Sequence, residues 1–312
     1  MTTAAERRRP MKVGLFLPFA ERQFGFGETA RWADLLEMTR RAEEVGFDSV
    51  WVADHLLIRL GSHEQQGVWE CWSIVSALAA ATSRIEIGTL VLCTSFRNPA
   101  LTAKMADTVD EISGGRLVLG LGAGYQENEF RAFGYPFDHR VSRFAEAIEV
   151  IHTLLREGRI DHAGRYYSAR DGELRPRGPR PLGPPILVGG RGERVLELTA
   201  RYADSWNAWL AFGRSQPDMI PPLRTAVDAA CAKVGRDPAT LARTAAVMVE
   251  LPSRVARGGS RPERISGSPE EIAARLRAFR DEGISELQIW PNPNSVQGIE
   301  EFAPVLEILD QG

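Results

Sequence analysis

Residues 46–55 read GFDSVWVADH and show how this chain folds. The segment from Asp48 to Ala53 is a predicted strand that ends in four apolar residues, and Lys12–Pro18 (KVGLFLP) is a short apolar run, as in a strand buried on both faces of a parallel sheet. The preceding segment, Glu28–Val45, has apolar side chains at helical spacing and ends at Gly46, a common helix stop. A helix, a glycine and then a buried strand are the repeating unit of α/β proteins.

Working outward, the same unit recurs along the whole chain. The predicted strands are Lys12–Pro18, Asp48–Ala53, Ile85–Cys93, Arg116–Gly122, Ile186–Val188, Asp204–Ala208, Thr244–Leu251 and Glu286–Trp290. The predicted helices are Glu28–Val45, Cys71–Thr82, Pro99–Ile112, Arg140–Glu157, Glu193–Tyr202, Pro222–Val234, Pro269–Glu282 and Ile299–Leu309. This alternation predicts an α/β fold, a (β/α)8 TIM barrel with insertions at its C-terminal rim, because closure removes both sheet edges. A doubly wound open sheet is the alternative.

Length and composition fit one barrel. The chain has 312 residues, of which 44% are hydrophobic and 25% charged, enough to bury a core. We predict a flexible tail over 1–10 and a single barrel domain over 11–312. Two insertions stand out: residues 126–137, expected to be a loop able to cover a pocket, and residues 158–185, expected to fold as a surface hairpin.

Charge and cysteine usage exclude several classes of protein. The formal net charge is −3, which does not favour nucleic acid or an anionic membrane as partner. The three cysteines are widely spaced without a C-x-x-C motif, so we expect neither a disulfide framework nor a thiolate zinc site. No apolar run approaches the roughly 18 residues that a membrane span needs. These features predict a cytoplasmic protein.

Chemistry in such barrels takes place at the carboxyl ends of the strands. Strand two ends in Asp54-His55, a carboxylate beside an imidazole that could donate or accept a proton. In the alternative interpretation Asp54 caps the next turn and His55 is an ordinary surface group. The histidines form no H-x-H or H-E-x-x-H motif, so we predict no metal site. Cys93, at the end of strand three, is expected to be a buried small side chain.

Glycines follow strands four and five. Gly122-Ala123-Gly124 would let a planar ligand lie against the backbone, since glycine has no Cβ. Gly189-Gly190-Arg191-Gly192 leads into a helix, where backbone N–H groups and a guanidinium suit a phosphate. Tight turns without any ligand explain both stretches equally well.

Taken in order, several stretches resemble a known family. They are GFDSVWVADH (46–55), TSRIEIGT (82–89), RNPA (97–100), GLGAGYQENEFRAF (120–133), PILVGGRG (185–192), ADSWN (203–207) and GSPE (267–270). Together they resemble the bacterial luciferase-like family of flavin and deazaflavin oxidoreductases. Asp54-His55 followed by Leu56 is similar to the branch that uses coenzyme F420, a 5-deazaflavin, whereas many FMN users carry Glu-His-His.

The resemblance implies a role for each matching residue. Asp54 would touch the ring system of the cofactor and His55 would transfer a proton, so both are the predicted catalytic residues. A non-prolyl cis peptide at Leu90–Val91 would form a bulge behind the ring. The other residues that the resemblance assigns to the cofactor site are Gly122, Ala123, Gly124, Asn128, Gly189, Gly190, Arg191, Trp206 and Asn207.

The chain also departs from part of the branch. Where its sugar-phosphate dehydrogenases have an aromatic residue and a glutamate, this chain has Arg59 and Tyr125. That difference argues against the sugar-phosphate reaction. Arg59, Glu70 and Tyr125 are the candidate substrate-pocket residues.

The resulting prediction is hydride transfer between F420 and a small organic substrate. The alternative is a two-component monooxygenase of the same family that uses reduced FMN. A third class is a barrel that only stores or senses a flavin. A separate flavin or F420 reductase is a candidate partner that would supply reduced cofactor. A homodimer is a further candidate, because apolar helix faces such as Ile148, Ile151 and Leu155 could serve either a core or a subunit interface.

Overall fold

The computed structural model describes residues 9–59, 64–257, 261 and 263–311. The strands are β1 (Lys12–Phe16), β2 (Ser49–Val52), β3 (Leu57–Ile58), β4 (Gln66–Gly67), β5 (Glu86–Thr89), β6 (Leu92–Cys93), β7 (Leu117–Gly122), β8 (Arg159–Ala163), β9 (Ser168–Glu173), β10 (Ile186–Gly189), β11 (Ser205–Trp209), β12 (Ala242–Glu250) and β13 (Glu286–Asn292). The helices are α1 (Trp32–Val45), α2 (Cys71–Ala81), α3 (Pro99–Ser113), α4 (Glu127–Phe133), α5 (Arg140–Glu157), α6 (Glu193–Tyr202), α7 (Ile220–Lys233), α8 (Pro252–Ala256), α9 (Pro269–Asp281) and α10 (Val296–Asp310).

Most of the predicted N-terminal tail, residues 1–8 of 1–10, lies outside the described residues. The prediction of a single domain over 11–312 stays a prediction. By its contacts the chain divides into two compact units.

The first unit comprises the described parts of Met1–Trp51, Asn207–Asp228 and Ala242–Gly312. Within it, β12 pairs in parallel with β13 and β13 with β1, and β1 continues the ladder to residues 49–51. The sequence sets the helix boundaries here. Ser268 caps α9 in a capping box with Glu271, and Gly46 ends α1 in the left-handed conformation that glycine adopts without strain.

The second unit comprises Val52–Trp206 and Ala229–Leu241. Within it β7 pairs in parallel with β5, β6 and β10. Helix α3 begins where the Asn98 side chain caps the amides of Ala100 and Leu101, with proline in the first turn. The predicted surface hairpin is present as the antiparallel pair β8–β9.

The hydrogen-bonded strand order is β10-β11-β12-β13-β1-β2-β5-β7-β6, and β10 also pairs with β7. β6 continues the predicted third strand, so the parallel strands that follow one another are β1, β2, β5, β7, β10, β11, β12 and β13. This is the strand order of a (β/α)8 TIM barrel. The predicted fold class is therefore confirmed.

Two local predictions differ from the structure, and one strand pair was not predicted. The expected strand Ile85–Cys93 is wrong as a continuous element, because it is interrupted at a cis peptide between Leu90 and Val91. The cis bond itself agrees with the resemblance. Residues 126–137 do not form a loop throughout: Glu127–Phe133 is helix α4, with acidic residues in its first turn and Gly134 as a left-handed C-terminal stop. The short antiparallel pair β3–β4 was not predicted.

Candidate active site

Asp54, at the carboxyl end of β2, is held in a buried ion pair. Its side chain is inaccessible to solvent, and the Arg97 guanidinium donates to both carboxylate oxygens, at 2.7 Å to Oδ2 and 3.0 Å to Oδ1. The amide of Cys93 also donates to Oδ2, at 2.8 Å. Oδ2 therefore has both its acceptor positions filled, and Oδ1 keeps one. Any contact between this carboxylate and a ligand is restricted to that remaining position.

Arg97 joins Asp54 to Glu70. Burial lowers the pKa of the Arg97 guanidinium, but the negative charge of Asp54 raises it by more, so the net pKa lies above its ordinary value. Glu70 accepts from Arg97 and caps α2 through the amides of Trp72 and Ser73. The structure thus places Glu70, a predicted substrate-pocket residue, in a capping and charge-pairing position.

His55, the next residue after Asp54, is paired with a carboxylate that the sequence analysis did not select. His55 Nδ1 lies 2.9 Å from Oε1 of Glu129, a residue of α4. The imidazole is 13% exposed and the Glu129 side chain 1%. The amides of Leu56 and Leu57 donate to the other oxygen of Glu129, at 2.8 and 3.3 Å. A buried carboxylate that accepts two backbone amides is held in one position.

Tyr125 lies against His55. The two rings meet edge to face, with centroids 5.4 Å apart and planes at 89°, and Tyr125 is 57% exposed. One face of this site is therefore an aromatic ring in contact with solvent. That position suits a predicted substrate-pocket residue.

Two further side chains hold the segment after β2, one from Gln126 at the N-cap of α4 and one from Asn128 within the helix. Gln126 Nε2 donates to the carbonyl of Arg59 at 3.0 Å, and Asn128 Nδ2 donates to Gln65 Oε1 at 3.2 Å. Arg59 itself is exposed. Asn128, predicted to contact a cofactor, thus has a structural partner, and the α4 side chains tie this segment to the helix.

Val91, on the bulge between β5 and β6, packs against two strand exits that lack side chains. A Cβ added at Gly122 would lie 2.7 Å from Val91 Cγ2, and one added at Gly189 would lie 3.2 Å from Cγ1. The absence of both Cβ atoms leaves room for the valine. We call this small apolar cluster of Val91, Gly122 and Gly189 the apolar floor.

Position 124 requires glycine because of its backbone conformation and its close neighbours. Its φ is +71°, and a Cβ there would lie 2.6 Å from Cys93 Sγ. It turns the chain between β7 and α4 while Cys93 and Phe130 pack beneath it. Burial, and then the charge of Asp54, raises the pKa of the Cys93 thiol, which fits its predicted role as a small apolar side chain.

The loop Gly189–Gly192 leaves backbone exposed at the start of α6. Gly192 occupies the N-cap position without a side-chain cap, and a Cβ added there would meet no atom within 4 Å. The buried indole of Trp206 donates from Nε1 to the carbonyl of Gly190 at 2.8 Å. Arg191 is exposed between them. The start of α6 therefore presents backbone N–H groups, through which helix N-termini bind anions, and its first turn also carries Glu193.

Asn207, also predicted to bind the cofactor, belongs to the first unit. Its amide donates to Thr244 Oγ1 and to Gln288 Oε1, each at 2.8 Å, and the residue is buried. Its side-chain donors are therefore occupied within that unit. The residues that the structure brings together in the second unit are Asp54, His55, Glu70, Val91, Tyr125 and the two glycine stretches.

Two residues of this site were missed from sequence. Arg97 stood in the quoted RNPA stretch without a role, and Glu129 stood beside Asn128, which was chosen instead. The sequence holds a signal for each residue. Arg97 is a positive charge shortly after the predicted third strand, and the Asp54 carboxylate at the end of the second strand needs such a partner. Glu129 lies next to the apolar Phe130 on the buried face of α4.

Two structural findings concern classes that the sequence analysis disfavoured. Among the residues that the structure describes, no three or more His, Cys, Asp or Glu side chains are grouped so that they could hold a metal ion. In the same residues no helix has both the length and the apolar character to cross a bilayer.

Comparison with known proteins agrees with this geometry. Residues 11–258 match the family model of the luciferase-like monooxygenases. An F420-dependent glucose-6-phosphate dehydrogenase of Amycolatopsis mediterranei is 36% identical over 179 residues, which cover 55% of this chain and 52% of that enzyme. Pyrimidine monooxygenase RutA of Caulobacter vibrioides is 30% identical over 241 residues, which cover 73% of this chain and 66% of that enzyme. The chain thus spans between about half and two thirds of these curated relatives.

Among solved structures, an F420-dependent secondary alcohol dehydrogenase in complex with an F420-acetone adduct superposes with a TM-score of 0.79. It covers 96% of this chain and 99% of its own at 21% sequence identity, a likeness of fold. The family match extends over most of the chain, and the relatives are oxidoreductases and monooxygenases. This chain belongs to the luciferase-like monooxygenase family.

Proposed function

We propose that the protein is an oxidoreductase that uses coenzyme F420 to transfer hydride to or from a small organic substrate. The observation that carries this proposal is the placement of an acid–base residue, His55, in the same unit as bare backbone at Gly122 and Gly189–Gly192. When bound, the 5-deazaflavin would supply a carbon that transfers hydride in a two-electron step and reacts poorly with oxygen. Positioning that carbon and excluding water are the tasks of the protein.

The residues that would hold the ring are those of the apolar floor. Val91 would lie behind the ring, in a position that is open to its methyl groups because Gly122 and Gly189 have no Cβ atoms. Ala123 and Gly124 continue the same exit. The N-terminus of α6, with Gly190, Gly192 and Arg191, would bind the phosphate.

His55 would hold or move the proton that accompanies hydride transfer. Its imidazole is mostly buried and is oriented by Glu129, so its position is fixed before a ligand arrives. Asp54 would have a positioning role. It accepts hydrogen bonds from the Cys93 amide and the Arg97 guanidinium, and these bonds fix the segment that carries Val91.

The reduced-FMN monooxygenase remains the second candidate, because RutA matches 73% of this chain. The two candidates differ in cofactor. The protein should therefore be titrated with F420 and with FMN in separate experiments, followed by turnover with a substrate panel monitored by deazaflavin absorbance. Tighter binding of F420 with hydride transfer supports the proposal; preferential binding of FMN with oxygen consumption reverses the ranking.

A barrel that only stores the cofactor is tested by His55→Ala. We expect cofactor affinity within about threefold of the unmodified protein and turnover lower by 10²–10⁴-fold, the usual range for a lost acid–base group. A variant that retains full turnover would leave His55 without a chemical role.

A further inference from the structure

We propose that Glu129 is the positioning residue of His55: it fixes the imidazole as the tautomer protonated at Nδ1, so that Nε2 is the nitrogen that exchanges a proton. This inference rests on the proposed function for its consequence in turnover. Its structural content, the tautomer, can be measured without a cofactor. The relevant side chain lies 74 residues from His55 in sequence and is brought to it by α4.

The proton assignment follows from the partners of Glu129. Oε2 accepts the amides of Leu56 and Leu57, and these donors have no alternative protonation state. Oε1 lies 2.9 Å from His55 Nδ1. A carboxylate in this setting can only accept, so the hydrogen between the two side chains belongs to Nδ1. A neutral imidazole with Nδ1 protonated has its lone pair on Nε2.

The anchoring is stronger than a single hydrogen bond would give, because both flanks of His55 are fixed. Asp54, on one side, is bound by Arg97 and the Cys93 amide. Leu56 and Leu57, on the other, are bound to the same carboxylate that orients the ring. Tyr125 packs on the imidazole edge to face. The ring therefore has little freedom to turn away from the carboxylate.

A purely structural role is the competing interpretation. In that case Glu129 would serve only to satisfy the two backbone amides, and His55 would sit beside it by proximity. The two interpretations differ in one observable, the protonated nitrogen of His55, since a backbone cap has no effect on the tautomer of a side chain.

The test is ¹⁵N NMR of the imidazole in the full chain without cofactor, at a pH where His55 is neutral. The variants are Glu129→Gln and, as a matched control, Glu127→Gln, the same change at an exposed position on the same helix. In the unmodified protein and in Glu127→Gln we expect the Nδ1–H tautomer. In Glu129→Gln the amide oxygen cannot replace both carboxylate oxygens, and we expect a mixture or the Nε2–H tautomer.

In steady-state kinetics we expect Glu129→Gln to affect kcat much more than KM. Glu129→Gln should lower kcat about 10²-fold, part of the effect of losing the acid–base group, and change KM less than threefold. Glu127→Gln should change neither.

The imidazole ¹⁵N spectrum of the unmodified protein is a test by itself. The proposal can therefore be refuted even if the Glu129→Gln variant does not fold. An Nε2–H tautomer there, or an unchanged spectrum in a folded Glu129→Gln, refutes the positioning role. If instead the tautomer is as expected and no cofactor supports turnover, the proposed function fails and the structural inference stands.

Discussion

The exit of β2 and the loop after β10 differ in what they are made of. At the β2 exit the structure is held by contacts between side chains: Asp54 pairs with Arg97 and His55 pairs with Glu129, and all four are largely buried. The loop Gly189–Gly192 consists mostly of glycine, and the indole of Trp206 donates to the carbonyl of Gly190. The first region contains fixed charges and an acid–base group. The second offers space and N–H groups. A site for cofactor chemistry needs both kinds of region.

The largest expected effect comes from breaking the first region at Arg97. Among the residues that the structure describes, Arg97→Met would leave the buried Asp54 carboxylate with the Cys93 amide as its one hydrogen-bond donor, and an uncompensated buried charge costs about 3–5 kcal/mol. Urea unfolding should show this loss as a lower midpoint. The control is Arg170→Met, which removes an exposed ion pair with Asp161 and should cost at most about 1 kcal/mol. Equal losses would mean that burial does not set the value of these pairs.

The next largest effect on stability is expected in the glycine loop, at Gly190. Gly190 has φ +154°, and an added Cβ would lie 2.7 Å from Val195 Cγ1. Gly190→Ala should therefore cost about 1–3 kcal/mol, the range for a residue held in a disfavoured backbone conformation. Thermal unfolding would measure it. A variant as stable as the unmodified protein would show that the loop relaxes freely.

Gly192→Ala probes the same loop where the structure offers space. Its Cβ would meet nothing within 4 Å, so the cost in stability should be at most about 1 kcal/mol, which alanine costs at an N-cap. If a phosphate lies on this backbone, the methyl group will obstruct it, and cofactor affinity should fall about tenfold, or 1.4 kcal/mol. Titration of the variant and the unmodified protein would compare the two. Unchanged affinity would place the phosphate elsewhere.

The smallest effect concerns acid stability at Glu70. Burial raises the pKa of this carboxyl, but hydrogen bonds from Ser73, Trp72 and Arg97 outweigh burial, and the net pKa is below its ordinary value. A carboxyl with a lowered pKa in the folded state stabilises the fold above its unfolded pKa of about 4.3. That contribution disappears as the pH falls through the folded-state value.

Glu70→Gln should therefore lose less stability than the unmodified protein between about pH 6 and about pH 3. The difference should be small, because the side chain is 42% exposed. Urea unfolding at each pH would measure it, with Glu127→Gln as the control. Parallel pH profiles would contradict the prediction.

The strands and helices could be predicted because their signal is local. Apolar runs such as Leu117–Gly122 and caps such as Asn98 are contained in a few consecutive residues. The alternation of such elements then restricts the fold to very few topologies. Residues of the glycine stretches and Asp54-His55 were found for the same reason, since strand exits can be located from the strands.

The pairings within the site could not be predicted because they depend on tertiary contacts. Glu129 lies 74 residues from His55, and Arg97 lies 43 from Asp54. No local periodicity joins them. Helix α4 was taken for a loop because it is short and because its aromatic residues were attributed to a pocket cover; in the structure Phe130 instead packs with Phe96 and Cys93.

The contacts of Glu129 with Leu56 and Leu57 have a consequence for divergence. These contacts use main-chain amides, which every residue type except proline provides. Substitutions of either side chain would therefore keep the hydrogen bonds that hold Glu129 beside His55. The side chains at these two positions can therefore vary, through natural variation or in libraries, while His55 keeps its place.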